Sequence, residues 1–108
     1  MKWYLAGPMS GIPEQNYPAF REASNTLRYN HGLDVVSPHE TFPHPMQPDE
    51  ERWAECLRKD VATLMHCQGI ILLPGWSKSR GARLEMSLAL QFGFPVRFYS
   101  MGVLHDFS

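Results

Sequence analysis

Two carboxylates lie within predicted helices whose hydrophobic pattern indicates one buried face. Asp60 falls inside the apolar stripe of a predicted helix over residues 49–66, and Glu85 borders the apolar face of a predicted helix over residues 80–92. That second face is marked by Ala82, Met86, Ala89 and Leu90. Because an unpaired buried charge is costly, the Asp60 carboxylate is expected either to have a partner within the fold or to belong to a site.

Both carboxylates also have a purely structural interpretation. Glu85 could be a solvated surface charge, and Asp60 could pair with Arg58, Lys59 or a backbone group. A helix rises by about 1.5 Å per residue, and a strand of the length predicted between the two helices is roughly 20 Å long. The two side chains could therefore reach one level of the fold. This geometry permits a site with two carboxylates but does not require one.

Residues able to contact a ligand occur close to these carboxylates in the predicted fold. Tyr4 is predicted to be buried in the first strand, where a carboxylate could accept a hydrogen bond from its hydroxyl. Ser79, Arg80 and Gly81 open the helix 80–92, where free backbone N–H groups favour an anion, although serine is also a common N-cap. Trp76 could either stack on a planar ligand or cover the core.

The elements that must position these residues follow from the hydrophobic pattern of the whole chain. The predicted strands are 2–7, 33–38, 69–74 and 95–100, and the predicted helices are 14–29, 49–66 and 80–92. This alternation predicts a three-layer α/β fold of the Rossmann or flavodoxin kind, with a parallel sheet of four or five strands and helices on both faces. The fold forms a single domain over residues 1–108, and the tail 101–108 stays unassigned.

Such a fold also predicts where a ligand binds. Ligands of open α/β sheets lie beyond the carboxyl ends of the strands. The loops at that edge are rich in Gly, Pro, Ser and His, and they span residues 7–13, 38–48 and 75–79.

Charge, composition and residue spacing argue against nucleic-acid binding, secretion, membrane insertion and metal binding. The formal net charge of −1 and the absence of a basic stripe argue against a binder of DNA or RNA. No segment resembles a signal peptide or a membrane span, and Cys56 and Cys67 are not placed for a disulfide, so a reducing cytoplasm is expected. His39 and His44 lack a third ligand, and no metal site is expected.

Three motifs in chain order resemble the nucleoside 2-deoxyribosyltransferase-like superfamily, whose members include the deoxyribosyltransferases and the nucleoside 5′-monophosphate N-glycosidases. The motifs are YLAGPMSG at the first strand, Asp60 ahead of GIILLPGW, and SRGARLE ending at Glu85. The resemblance covers residues 2 to about 97. The pattern LPGW followed by SRGARLE is similar to that of a small branch frequent in phages and bacteria.

The resemblance implies a role for several residues. Glu85 corresponds to the nucleophile, Asp60 to the supporting carboxylate, Tyr4 to the residue that orients the nucleophile, and Gly7 to the glycine that lets the first loop approach the sugar. The other expected substrate contacts are Pro8, Met9, Ser10, Gly11, Trp76, Ser79, Arg80 and Gly81.

The residue six positions before the nucleophile implies the type of substrate. Transferases acting on free nucleosides tend to carry aspartate there, whereas the monophosphate hydrolases carry serine, as this chain does at Ser79. An aspartate repels a phosphate, and a serine hydroxyl with helix N–H groups holds one. The first loop reads GPMSGI rather than a GSIRGG-like sequence, so Pro8 and Ser10 replace a serine and an arginine that bind phosphate, and Arg80 could compensate.

The expected function is cleavage or base exchange at the N-glycosidic bond of a (deoxy)nucleoside 5′-monophosphate, through a glycosyl-enzyme intermediate and without a metal or organic cofactor. The alternatives are transfer between free nucleosides, a non-catalytic nucleotide sensor, or a structural α/β domain whose loops bind a protein. The superfamily implies a homodimer or larger assembly. Candidates for reaching the partner's ligand are His105, Asp106 and Ser108, and candidates for the interface are Trp53, Met65 and Met86. A disordered tail on a monomer is the alternative.

Overall fold

The computed structural model describes residues 1–45 and 48–107. Its centre is a five-stranded sheet in the order β2-β1-β3-β4-β5, in which β1 to β4 are parallel and β5 is antiparallel to β4. The strands are β1 (Lys2–Ala6), β2 (Asp34–Val36), β3 (Gly69–Leu72), β4 (Val96–Ser100) and β5 (Val103–Asp106). The helices are α1 (Tyr17–Tyr29), α2 (Glu50–Met65) and α3 (Arg80–Gln91).

Alternating side chains of the central strands build two cores, one on each face of the sheet. Trp3 and Leu5 of β1 belong to the core that includes the buried face of α1, with Phe20 as its largest helical side chain. Tyr4 and Ala6 belong to the opposite core, which takes in α2 and α3. Strand β3 is buried along its whole length, as expected for a parallel strand covered by helices on both faces. The predicted three-layer α/β fold is therefore confirmed.

The tail beyond β4 forms a strand rather than a disordered end. The chain turns at Met101 and Gly102, both with positive φ, and β5 then pairs with β4 from Ser100↔Val103 to Arg97↔Asp106. Two consecutive residues with positive φ fit the tight turns that join antiparallel strands. The alternative of a disordered tail is wrong for residues 103–106.

A left-handed turn delays the start of the first helix. Glu14, Gln15 and Asn16 have φ values of 56°, 51° and 60°, so α1 begins at Tyr17 rather than at residue 14. Residues other than glycine adopt left-handed backbone angles at a cost of roughly 1–2 kcal/mol each. Two hydrogen bonds hold the turn: the Asn16 side-chain amide donates to the Pro8 carbonyl at 3.0 Å, and the Gln15 amide donates to the carbonyl of His44.

Both helices on the second face start with a side-chain cap. The Asp49 carboxylate accepts a hydrogen bond from the Arg52 backbone N–H at 2.8 Å, and the Ser79 hydroxyl accepts one from the Ala82 N–H at 3.2 Å. These caps fix where α2 and α3 begin, close to the carboxyl edge of the sheet. None of the helices in the described part of the chain is long and apolar enough to cross a membrane.

Candidate active site

A cavity of about 430 Å³ opens at the carboxyl edge of the parallel strands. Its volume lies in the range of pockets for small molecules. The loops after β1, β2 and β3 and the first turns of α2 and α3 surround it. Three polar side chains that line it come from different elements: Tyr4 from β1, Asp60 from α2 and Glu85 from α3.

Glu85 lies on the inward face of α3 and is 5% exposed. The buried positions of this helix are Ala82, Glu85, Met86 and Ala89. Leu90 was expected on this face, but it is 59% exposed. At about 100° per residue, Leu90 points roughly a quarter turn away from the centre of the face, and Glu85 takes the inward position instead.

Burial gives the Glu85 carboxyl an unusual affinity for its proton. Its pKa is raised from 4.5 to about 8, first because the charged form is desolvated and second because the charge of Asp60 is near. The Tyr4 hydroxyl donates a hydrogen bond to Glu85 Oε2 at 2.7 Å, which opposes part of that shift. Tyr4 is fully buried, and its own pKa is raised well above 10 by burial and then by Glu85 and Asp60.

Asp60 is paired with a histidine that sequence reasoning did not select. His44 Nε2 lies 3.1 Å from Oδ1 and 3.2 Å from Oδ2 of Asp60, and both side chains are buried. The expected structural partners Arg58 and Lys59 are exposed instead. Burial raises the pKa of Asp60, and the His44 hydrogen bond and charge oppose this shift. The signal available in the sequence was a histidine in a loop predicted to reach the same sheet edge as a buried acid.

Contacts on several sides hold the His44 ring in place. It stacks on Phe42 with the ring centres 4.1 Å apart. The Tyr17 hydroxyl accepts a hydrogen bond from the His44 backbone N–H at 3.1 Å and lies 3.5 Å from Nδ1. The Gln15 side chain binds the His44 carbonyl. The left-handed turn therefore helps to position the partner of Asp60.

The structure brings most of the expected substrate contacts to the cavity. Those that line it are Gly7, Pro8, Met9, Ser10, Ser79, Arg80 and Gly81. Gly11 and Trp76 are not among the lining residues. Gly11 forms a turn with φ of 80°, and Trp76 packs against the core and meets Phe107 edge to face at 5.7 Å. Of the two interpretations of Trp76, the structure therefore supports the one in which it covers the core. Lining residues that were not expected include Ile12, Pro38, His44, Cys56, Leu57 and Lys78.

Gly7 has a packing role in addition to its place in the cavity wall. A Cβ atom at this position would lie 3.0 Å from Leu73 Cβ and 3.4 Å from the Phe20 ring. The absence of a Cβ atom lets the first loop leave the sheet close to Leu73 and Phe20 without a crowded contact. A larger residue at position 7 would require one of these neighbours to shift by a few tenths of an ångström, next to the cavity wall formed by residues 8–10.

The residues expected to bind a phosphate are already engaged within the chain. The Ser79 hydroxyl accepts the capping hydrogen bond of α3. Arg80 Nη1 lies 3.0 and 3.1 Å from the two oxygens of Glu50, and the guanidinium lies 3.8 Å from the centre of the Trp53 ring. A hydroxyl that accepts one hydrogen bond can still donate another, and these contacts leave N–H groups of Arg80 for a ligand.

The residues expected to act between subunits have contacts in their own chain. Asp106 forms an ion pair with Arg97 at 3.6 Å, and the His105 ring lies 6.3 Å from that of Phe98. Ser108 falls outside the described residues. The interface role of Met86 is wrong, because it is 6% exposed and packs in the core between α3 and the sheet. Met65 is 37% exposed and Trp53 is half-buried beneath Arg80.

Comparison with solved structures finds a similar fold in a 2-deoxyribosyltransferase from the psychrotolerant bacterium Bacillus psychrosaccharolyticus. The TM-score is 0.65 at 23% sequence identity, over 91% of this chain and 71% of that one. At this identity the likeness concerns the fold. No curated protein matches the sequence.

A family model described as a domain of unknown function, DUF4406, matches residues 1–98. The matched segment contains the three loops around the cavity and the residues Tyr4, Asp60 and Glu85. It ends within β4, ahead of the β5 hairpin. Because the match extends over most of its length, this chain belongs to the DUF4406 family.

Proposed function

We propose that this protein cleaves the N-glycosidic bond of a (deoxy)nucleoside 5′-monophosphate, or exchanges its base, with Glu85 as the nucleophile. The observation that carries the proposal is the buried Glu85 carboxyl at a cavity of ligand size, held by Tyr4 and close to a second buried acid. A binding module gains little from two desolvated carboxyls, since both weaken the fold. The similarity of its fold to a 2-deoxyribosyltransferase agrees with nucleoside chemistry.

The first chemical step forms an ester between Glu85 and the sugar. A carboxylate oxygen attacks C1′ while the bond from C1′ to the base nitrogen breaks, and the bonding electron pair leaves with the base. The Tyr4 hydrogen bond to Oε2 fixes the carboxylate rotamer before the attack. Burial and the nearby Asp60 charge raise the pKa of Glu85 to about 8, so the reactive form, with Glu85 ionised and the proton on Asp60, is a minor fraction of the enzyme near neutral pH.

Asp60 supplies the proton that the departing base needs. Its raised pKa favours the protonated form more than in an exposed aspartate, and His44 holds the carboxyl in one orientation. In the second step the Asp60 carboxylate accepts a proton from water, which attacks the ester and releases the sugar phosphate. A second base in place of water would complete an exchange. Over the two steps Asp60 gives one proton to the base and regains one from water, so no additional reactant is needed.

Release of free base is the direct test of this function. The protein is incubated with the 2′-deoxynucleoside and ribonucleoside 5′-monophosphates and with the corresponding nucleosides, and free base is separated by chromatography. We expect base release from at least one monophosphate. If every compound remains intact and one still raises the melting temperature, the non-catalytic sensor is the correct function. Release from nucleosides alone would favour the transferase alternative.

Replacing Ser79 with aspartate is expected to shift preference from the monophosphate toward the nucleoside by about tenfold or more, because the new charge repels a phosphate. Aspartate is as good an N-cap as serine, so α3 should keep its start. The ratio of kcat/KM for a monophosphate and its nucleoside measures the shift, with Ser79→Asn as the uncharged control. An equal ratio in Ser79→Asp and in the unmodified protein would disprove a role for Ser79 in binding the phosphate.

We also propose that the protein works as a homodimer or larger assembly, because a chain of 108 residues has little depth from which to shield a nucleotide from water and the superfamily resemblance implies such assemblies. Light scattering at micromolar concentration should give at least twice the mass of one chain, and the mass of one chain would refute the proposal. Deleting the tail is not a clean test, since β5 pairs with β4 along four residue pairs. Substituting His105 with alanine leaves that pairing in place, and unchanged base release would show that His105 completes no site.

A further inference from the structure

An arginine at the rim of the cavity is held by two side chains of another helix. Arg80 is the first residue of α3, and both of its partners, Glu50 and Trp53, lie in the first turns of α2. Arg80 and Trp53 line the cavity, next to Lys78 and Ser79. The guanidinium is therefore placed where a ligand can reach it, while its charge is balanced by a glutamate of the same chain.

The two contacts of Arg80 differ in how easily a ligand can replace them. The side chain of Glu50 is 82% exposed and that of Arg80 is 60% exposed, and exposed ion pairs are weak and screened by salt. Stacking on Trp53 uses the face of the guanidinium and leaves its N–H donors in the plane. An anion can thus take the place of Glu50 while Trp53 keeps the guanidinium at the cavity.

The charges around the cavity determine how replacement of Glu50 by a ligand anion affects binding. Asp60 and Glu85 disfavour an anion whenever they are ionised, whereas Lys78 and Arg80 favour one. While Glu50 holds Arg80, the positive charge that acts on a ligand is reduced. Release of Arg80 from Glu50 restores it.

We propose that Glu50 is a specificity-determining residue, which competes with the negatively charged group of the substrate for Arg80. The inference rests on the proposed function, since it concerns how the 5′-phosphate of the substrate is recognised. Glu50 lowers the affinity for monophosphates and leaves that for uncharged nucleosides unchanged. It thereby sets how strongly the site prefers a phosphorylated substrate.

Glu50→Gln tests this proposal through binding. Calorimetric titrations use the Glu85→Gln background, in which ligand is not consumed, with inorganic phosphate, the four 2′-deoxynucleoside 5′-monophosphates and the four nucleosides as probes. We expect Glu50→Gln to tighten monophosphate binding about two- to fivefold and to leave nucleoside binding unchanged. The gain should shrink as salt is added and should vanish when Arg80 is replaced with glutamine, as a double-mutant cycle requires.

Glu51→Gln is the matched control, because it removes the same charge one residue further along α2. Glu51 is exposed and forms no ion pair within residues 1–45 and 48–107. An equal gain in Glu51→Gln, an equal gain for nucleosides, or no binding of any phosphorylated probe overturns the proposal. The proposed catalysis is tested separately by base release. If the unmodified protein releases no base but Glu50→Gln still shows the expected gain in monophosphate binding, the enzymatic function is wrong and the competition between Glu50 and the ligand for Arg80 stands.

Discussion

Replacing Glu85 with glutamine is expected to reduce base release by about a thousandfold or more, because an amide cannot form the ester with C1′. Glutamine has nearly the same shape, and its side-chain oxygen can still accept the hydrogen bond from Tyr4. The fold should therefore persist. The measurement is the kcat for base release on the best monophosphate of the panel, with circular dichroism to show that the variant is folded.

Two comparisons make the nucleophile assignment specific. Glu85→Ala should lose as much activity as Glu85→Gln, whereas Asp60→Asn should retain more activity on substrates whose base leaves readily without a proton. Mass spectrometry of acid-quenched protein should locate the sugar adduct on Glu85. Full activity in either Glu85 variant, or an adduct on another residue, would show that Glu85 is not the nucleophile.

The same substitution is expected to change how stability depends on pH. The pKa of Glu85 is raised from 4.5 to about 8 in the folded protein, so between these values the folded state binds more protons than the unfolded state. Stability from this group is fully present below about pH 4.5 and is lost as pH rises through about 8. The loss should be on the order of 1 kcal/mol for each pH unit inside that window.

Urea unfolding at a series of pH values measures this effect. Glu85→Gln has no titrating group at position 85. Its free energy of unfolding should therefore exceed that of the unmodified protein by an amount that grows from about pH 5 to pH 8 and then levels off. Glu51→Gln, at an exposed position, should follow the unmodified protein at every pH. Parallel curves for the unmodified protein and Glu85→Gln would mean that Glu85 is ionised at neutral pH and that its burial has little effect on its pKa.

The sequence alone determined the layered fold and most of its elements. Periodicity placed α2 and α3 within one residue of their observed ends, since a buried stripe at helical spacing has few other solutions. The hairpin to β5 was not predicted, because the tail has little alternation and its strand is stabilised by pairing with β4. The start of α1 was placed too early for a similar reason: hydrogen bonds to distant loops hold the left-handed turn of residues 14–16.

Tertiary structure decided which residues meet at the cavity and which of them are already occupied. The family resemblance already implied that Tyr4 orients Glu85, and the folded chain has a hydrogen bond between the two side chains. That His44, sixteen residues away, contacts Asp60 is visible only in the folded chain. Likewise, it shows that Trp76 covers the core and that Arg80 is shared between Glu50 and Trp53. Hydrophobic spacing reports which side of one element is buried. Hydrogen bonds between loops depend on how several elements are placed together, and no local pattern in the sequence records that placement.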